Sequence, residues 1–347
     1  MHYRIFLFLL LAPALCRAAP TPLFSSDAPL KAVLTAPISQ AYQQKGQEQR
    51  LYLEGHWSYL DGDATVRYPV KIRTRGNYRR RVCRLPPLQL NFRKSDLEGS
   101  LLDGQDKLKM VSPCMKGDRY QQLIYLEYLI YQLYALYTDH HFRVRRVELG
   151  YNDSTQGEGQ WRSDNFLIQD EGEMAASSGM KVLNIESPRR QDMNLGETAM
   201  LEVFQFVIGN VDYSTLRSNE GDCCHNVRLV APDGADTGII PVPYDFDSSG
   251  LINAPYATLP ANVPIKKITQ RYFNGWCKEP RRFREAAARL VARRQEAIAL
   301  VRDFPKLESY YRKRAERYLE QSFEHLADPD YIDRYIIGRC RGEVIPG

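Results

Sequence analysis

Four separated stretches carry residue types that could do chemistry together. Pro243-Tyr244-Asp245-Phe246-Asp247 places two carboxylates around one aromatic residue, just after an apolar run. Such a pair suits a hard divalent cation, because Mg²⁺ takes oxygen ligands and keeps several waters. Ile208-Gly209-Asn210-Val211-Asp212 runs from a helix end into a polar loop with one carboxylate. Asp212 could orient and deprotonate an attacking hydroxyl there. Asn226, in His225-Asn226-Val227-Arg228-Leu229-Val230, stands just before an apolar strand and could present its amide oxygen to a cation. Finally, Arg73-Thr74-Arg75-Gly76-Asn77-Tyr78-Arg79-Arg80-Arg81 sets a glycine at a strand end among five arginines. Glycine lets a backbone approach a ligand closely, and guanidinium forks match phosphate oxygens. Taken one at a time, these stretches also fit plain structural roles: a basic hairpin tip, a capping Asp, a turn Asn, solvated acids.

The elements that must hold these residues can be read from periodicity. From about 30 to 111 the chain alternates apolar and polar residues, as in Tyr68–Arg75, Pro87–Phe92 and Lys107–Val111. Turns such as Asp61-Gly62-Asp63 and Asp103-Gly104 separate the runs, so the spacing predicts a small, mostly antiparallel sheet. A helix is expected from Asp118 to about Tyr137, with Leu123, Leu126, Ile130 and Leu133 on one side. Its tyrosines read as core. Two more strands follow at 144–151 and 165–169, then a helix over 197–208 stopped by Gly209-Asn210. Val227–Val230 and Ile239–Pro243 bracket Asp233-Gly234 as a hairpin, and 281–337 reads as amphipathic helices broken near Pro305 and Pro329. The expected fold is α+β and two-lobed: residues 28–170 a sheet with one long helix, residues 171–347 a mostly helical lobe with one hairpin.

Totals narrow the setting. With 347 residues, 44% hydrophobic and 26% charged, the chain can bury a large core and is not a disordered or collagen-like sequence. A net charge of +5, with both signs mixed along the chain, gives no reason to expect nucleic acid as partner. Residues 1–18 read as a signal peptide, with an apolar stretch from Ile5 to Leu15 and cleavage near Ala18. No later run is long enough for a transmembrane helix. Export to the periplasm or outside the cell is therefore expected. Six cysteines remain after cleavage, an even number that favours disulfides over zinc in an oxidising compartment. Cys83 with Cys114 is the expected pair, since both flank predicted neighbouring strands. Cys223 and Cys224 are expected to reach partners elsewhere rather than each other.

The order Asp212, then Asn226 leading into a hairpin, then Asp245 at its end is that of a kinase-type catalytic loop followed by a metal-binding loop. With the segments RTRGN, FLIQDEGEM, IGNVD, HNVRLV and PYDFD, between about 70 and 250, the chain resembles a remote member of the CotH-type atypical kinases, the spore-coat family related to HipA-like kinases. The resemblance implies a protein-kinase-like fold and transfer of phosphate, or AMP, from Mg-ATP (or Mn-ATP) to an unknown protein or small-molecule hydroxyl. It implies Asp212 as catalytic base, Asn226 and Asp245 as metal ligands with Asp247 a further one, and Arg75, Gly76 and Asn77 over the phosphates. Gln169 to Glu171 would border the adenine. Lys109 would pair with the phosphates, and Glu127 with Lys109. The glycine usual after Asp-Phe is Asp247 here, and no G-x-G-x-x-G loop is present. Two other readings stand beside this one: a catalytically inactive kinase-like envelope protein, and a D-x-D metal-dependent glycosyltransferase, which parallel strands before residue 170 would favour.

Overall fold

Alternation of inward apolar and outward polar side chains builds strands through the first half of the chain. A computed structural model describes residues 19–155, 157, 159–216 and 223–345; the expected signal peptide, with Cys16 and the cleavage point at Ala18, lies outside them. Seven strands are formed: β1 (Leu30–Ala36), β2 (Leu53–Asp61), β3 (Ala64–Thr74), β4 (Leu88–Asn91), β5 (Lys107–Val111), β6 (Val144–Asp153) and β7 (Gln160–Ile168). They close into a barrel in the order β1-β2-β3-β4-β5-β7-β6. β1 pairs antiparallel with β2, Leu34 opposite Trp57, and parallel with β6, Leu34 opposite Tyr151. The other neighbours are antiparallel.

This closure corrects the expected two-lobed, protein-kinase-like fold with an open N-terminal antiparallel sheet. The cause is β1. Leu30, Ala32, Leu34 and Ala36 all point into the core, and both backbone edges of the strand are hydrogen-bonded, so no free sheet edge remains. Gly55 on β2 permits the close approach: a Cβ there would lie 2.6 Å from that of Ala36. Leu34, Trp57, Ile72, Leu88 and Leu90 fill the interior, each fully buried. A single parallel pair among antiparallel ones also gives the glycosyltransferase reading no Rossmann-like run of strands.

Short helices α1 (Ile38–Gln43) and α2 (Tyr78–Val82) follow β1 and β3. The long α3 (Asp118–Ala135) is buried on nearly all sides, and its tyrosines are core residues, as their spacing predicts. Tyr131 packs edge-on against Phe166 of β7 and against Phe246, and Tyr134 packs against Phe204. Helix α3 thus joins the barrel to the rest of the chain. Beyond it come α4 (Glu171–Ser177), capped by the Asp170 side chain, β8 (Lys181–Leu183) and α5 (Leu195–Ile208), capped by Asn194. Helix α5 ends at Gly209, whose φ of +65° is a left-handed conformation that glycine adopts without strain. β9 (Val227–Ala231) and β10 (Ile240–Pro243) form the expected hairpin, extended by β8 into three strands. The C-terminal part holds β11 (Trp276–Lys278), α6 (Pro280–Ala292), α7 (Arg294–Arg302), α8 (Ser309–Ala327), α9 (Pro329–Tyr335) and β12 (Arg341–Ile345), which pairs parallel with β11.

Among the described residues three disulfides are formed. Cys83–Cys114 is the pair expected from the sequence, and Cys277–Cys340 ties β11 to the start of β12. Cys223 and Cys224 bond to each other across a cis peptide, contrary to the expectation that each reaches elsewhere. Among the described residues no helix is long and apolar enough to cross a membrane. Both features are compatible with an exported protein.

Candidate functional site

Side chains from distant parts of the chain meet where α3, the barrel end and the loop after β10 come together. The loop after α5 carries Asp212, and the residues before β9 fold back onto it. Asn226 Nδ2 donates to the Asp212 backbone oxygen at 2.8 Å and to Oδ2 at 3.2 Å. His225 Nε2 lies 2.8 Å from Asp212 Oδ1. Asn226 has a φ of +53° and Asp245 one of +61°, left-handed conformations that asparagine and aspartate tolerate better than most residues. The two residues are adjacent in space, because Tyr244 N donates to Asn226 O at 3.0 Å. The Asp245 N–H in turn donates to the buried Tyr131 hydroxyl at 3.0 Å, tying the loop after β10 to α3.

A buried charged cluster lies beside that loop. The Arg79 guanidinium on α2 reaches Glu127 of α3 at 3.2 Å and Asp247 at 3.6 Å, and donates to Ser112 O at 2.6 Å. One cation therefore serves two buried acids. Burial, with the fields of Asp247 and Asp245, pushes the Glu127 carboxyl up to about 8 despite the attraction of Arg79. Burial, then the charges of Asp245 and Asp212, pushes Asp247 up to about 7 against the same guanidinium. Glu127 Oε1 is buried with no hydrogen-bond partner. Negative charge is in excess here.

Positive charge is in excess a short way off. Burial lowers the Lys109 ammonium on β5, and the nearby Arg75 and Arg228 lower it further, while Glu171 works in the opposite sense. Lys109 lies 3.8 Å from Glu171, which Arg228 also holds at 2.5 Å. For Glu171, burial acts upward, but the Arg228 hydrogen bond and the charges of Arg228 and Lys109 overcome it and leave its carboxyl low. Both cations also lie over the Tyr244 ring. Arg75 is half-buried, and its guanidinium has no hydrogen-bond or ion-pair partner among the described residues. Its field nevertheless reaches Glu127, Tyr131 and Tyr244, so it stands between the two clusters.

The predicted site residues thus fall into groups. Asp212 touches Asn226, Asp245 follows a residue bonded to Asn226, and Asp247 feels the charges of Asp245 and Asp212, while Arg75 and Glu171 both act on Lys109. Gly76, with a φ of +79°, and Asn77 sit exposed at the start of α2. Gln169 is fully buried after β7, its Oε1 accepting from Arg143 N while its Nε2 has no partner. The expected Lys109–Glu127 pair is not formed: Arg79, four residues beyond Arg75, takes Glu127, and Glu171 takes Lys109. Sequence reasoning gave no role to Arg79, Tyr131, His225, Arg228 or Tyr244. Arg79 was one of five arginines in a single segment, and nothing local marks which of them turns inward.

Among the described residues no group of three or more His, Cys, Asp or Glu side chains has metal-holding geometry. Two carboxylates with an asparagine oxygen are the donors available, a set that fits Mg²⁺ only if phosphate oxygens and water complete it. Asp245 is the donor that suits this fit: its carboxylate is half-buried, acts on the charge of Asp247 and has no ion-pair partner among the described residues. No protein-family model matches this chain, and no curated protein matches it in sequence.

Proposed function

We propose that this protein binds a nucleoside triphosphate with a divalent cation and transfers its terminal phosphoryl group to a hydroxyl acceptor. One observation carries the reading. Two crowds of like charge stand side by side, each short of counter-ions: Arg75 and Lys109 on one side, Asp245 and Asp247 on the other. A polyphosphate chelating Mg²⁺ neutralises both crowds at once, whereas a simple anion or a lone cation would answer only one. The likeness of IGNVD, HNVRLV and PYDFD to the CotH-type kinases supports the same chemistry through the site residues, independently of the fold.

In this reading Arg75 and Lys109 hold phosphate oxygens, and Glu171 with Arg228 keeps the lysine aimed inward. Asp245, the Asn226 amide oxygen and, more weakly, Asp247 would hold the cation, since Asp247 is already engaged by Arg79. The cation supplies charge neutralisation on the phosphates when bound. Asp212 accepts the proton of the attacking hydroxyl, and Asn226 holds one of its oxygens in place. Gln169 is fully buried, so the base would be bordered by the backbone of Asp170 and Glu171 that follows it. The three disulfides fit work in an exported compartment, where the acceptor would also reside.

Incubation with Mg-ATP labelled at the γ-phosphate tests this directly, scoring label on the protein itself, on added acceptors and as free phosphate. Wild type is expected to turn over, and Asp212→Asn to fall by about 10²–10⁴-fold with ATP binding retained. Label transferred from the α-position instead would mean AMP transfer. No turnover of either label, in wild type or variant, would overturn the proposal.

A further inference from the structure

We propose that His225 is a positioning residue for Asp212, fixing the carboxylate so that one Oδ2 lone pair faces the acceptor hydroxyl. The inference rests on the phosphoryl-transfer reading and adds a role that the sequence motifs do not assign. Its basis is a two-sided clamp. His225 Nε2 meets Oδ1 at 2.8 Å while Asn226 Nδ2 meets Oδ2 at 3.2 Å, so each oxygen of Asp212 has its own donor. Facing a carboxylate, Nε2 is the donor in this contact.

The backbone is built to hold the imidazole there. Ser214 and His225 exchange both of their N–H···O bonds, at 2.9 and 3.2 Å, closing the two ends of the loop on each other. On the other side Asp212 N donates to the buried Asn210 Oδ1 at 3.0 Å, and Asn210 is held by Gln205 of α5 at 3.0 Å. Asp212 is therefore gripped through its main chain, both carboxylate oxygens and the helix behind it. The pair is also open to water, with His225 41% and Asp212 29% exposed at the side chain. A solvent-facing pair of this kind adds little to stability, so its value lies in orientation. An attacking group misplaced by ~1 Å can cost on the order of 10²-fold in rate.

The experiment compares wild type, His225→Ala, His225→Gln, Asp212→Asn and the double variant His225→Ala/Asp212→Asn in the Mg-ATP assay, with Tm and ATP affinity measured on each. His225→Ala is expected to lower kcat by about 10–100-fold, leave KM for ATP within about twofold and leave Tm unchanged. His225→Gln, which restores a donor of similar reach, should recover most of the loss. In the double variant the His225 change should cost nothing beyond Asp212→Asn, because a positioning residue has no effect once its target is gone. An active His225→Ala at the wild-type rate, additive losses in the double variant, or a parallel fall in Tm and ATP affinity would each overturn the inference while leaving the proposed function standing. An inactive wild type would overturn both, and is told apart by that result alone.

Discussion

The barrel interior and the charged cluster at its end are buried to similar depths and made of opposite materials. Inside the barrel, Leu34, Trp57, Ile72, Leu88 and Leu90 lose water to one another, the burial that drives folding at ~25 cal/mol per Å² of apolar surface. Beside α3, Arg79, Glu127 and Asp247 are almost as deeply buried, and there burial works against the fold. Taking an ion from water costs several kcal/mol, and a pair repays this only with good geometry. Here one guanidinium stands between two acids. A fold that already has an apolar barrel core needs no such cluster for stability, which agrees with the proposed phosphoryl-transfer role.

The comparison can be broken at its charged end first. Arg79→Ala leaves two buried acids without their cation and should cost about 3–5 kcal/mol in urea unfolding at pH 7. A loss below about 1 kcal/mol would mean that Arg79 is not what holds the acids. Ile72→Ala in the barrel should cost about 2–5 kcal/mol through a cavity, by an amount that stays constant between pH 5 and 9. A pH-dependent Ile72→Ala would show the two regions to be coupled.

Opening Cys83–Cys114 by replacing both with Ala should cost ~2–4 kcal/mol, since the bridge closes the chain just past α2, where Arg79 is anchored. If metal-free protein lost stability without any change in the pH response below, the bridge would serve the fold and not the cluster.

The smallest effect is the most specific. Glu127 and Asp247 bind their protons more tightly when folded than at their ordinary values of 4.5 and 3.8. The folded state then holds more protons than the unfolded one, and stability contributed this way is complete at low pH and lost as pH rises through about 7 to 8. Metal-free protein should therefore lose on the order of 2 kcal/mol between pH 6 and 9. Glu127→Gln, which keeps the neutral shape, should flatten that slope. A stability that rises over this range would contradict the account.

Much of the molecule was legible where neighbours in sequence decide the outcome. The alternation in Tyr68–Arg75 and Lys107–Val111, the tyrosine-lined α3, the Gly209 helix stop and the β9–β10 hairpin all follow from local pattern. Closure was not legible, because the parallel seam between β1 and β6 joins strands that no turn or spacing relates. The same limit applies to the site. Asp212 and Asn226 could be grouped from the order of their motifs, and they touch. The partner of Glu127 could not, since choosing Arg79 over Lys109 depends on how α2 docks beneath the barrel end. The Cys223–Cys224 bond was not legible, because the even count of cysteines says nothing of which one pairs with which.

Calorimetric titration of ATP into the protein, with Mg²⁺ and with chelator, tests the central claim most directly. Wild type should bind with an affinity that falls at least about tenfold when the cation is removed, and Asp245→Ala should show that weaker affinity in both conditions. Equal binding with and without Mg²⁺ in both proteins, or no binding in either, would contradict the claim that the two opposed charge clusters meet across a chelated polyphosphate.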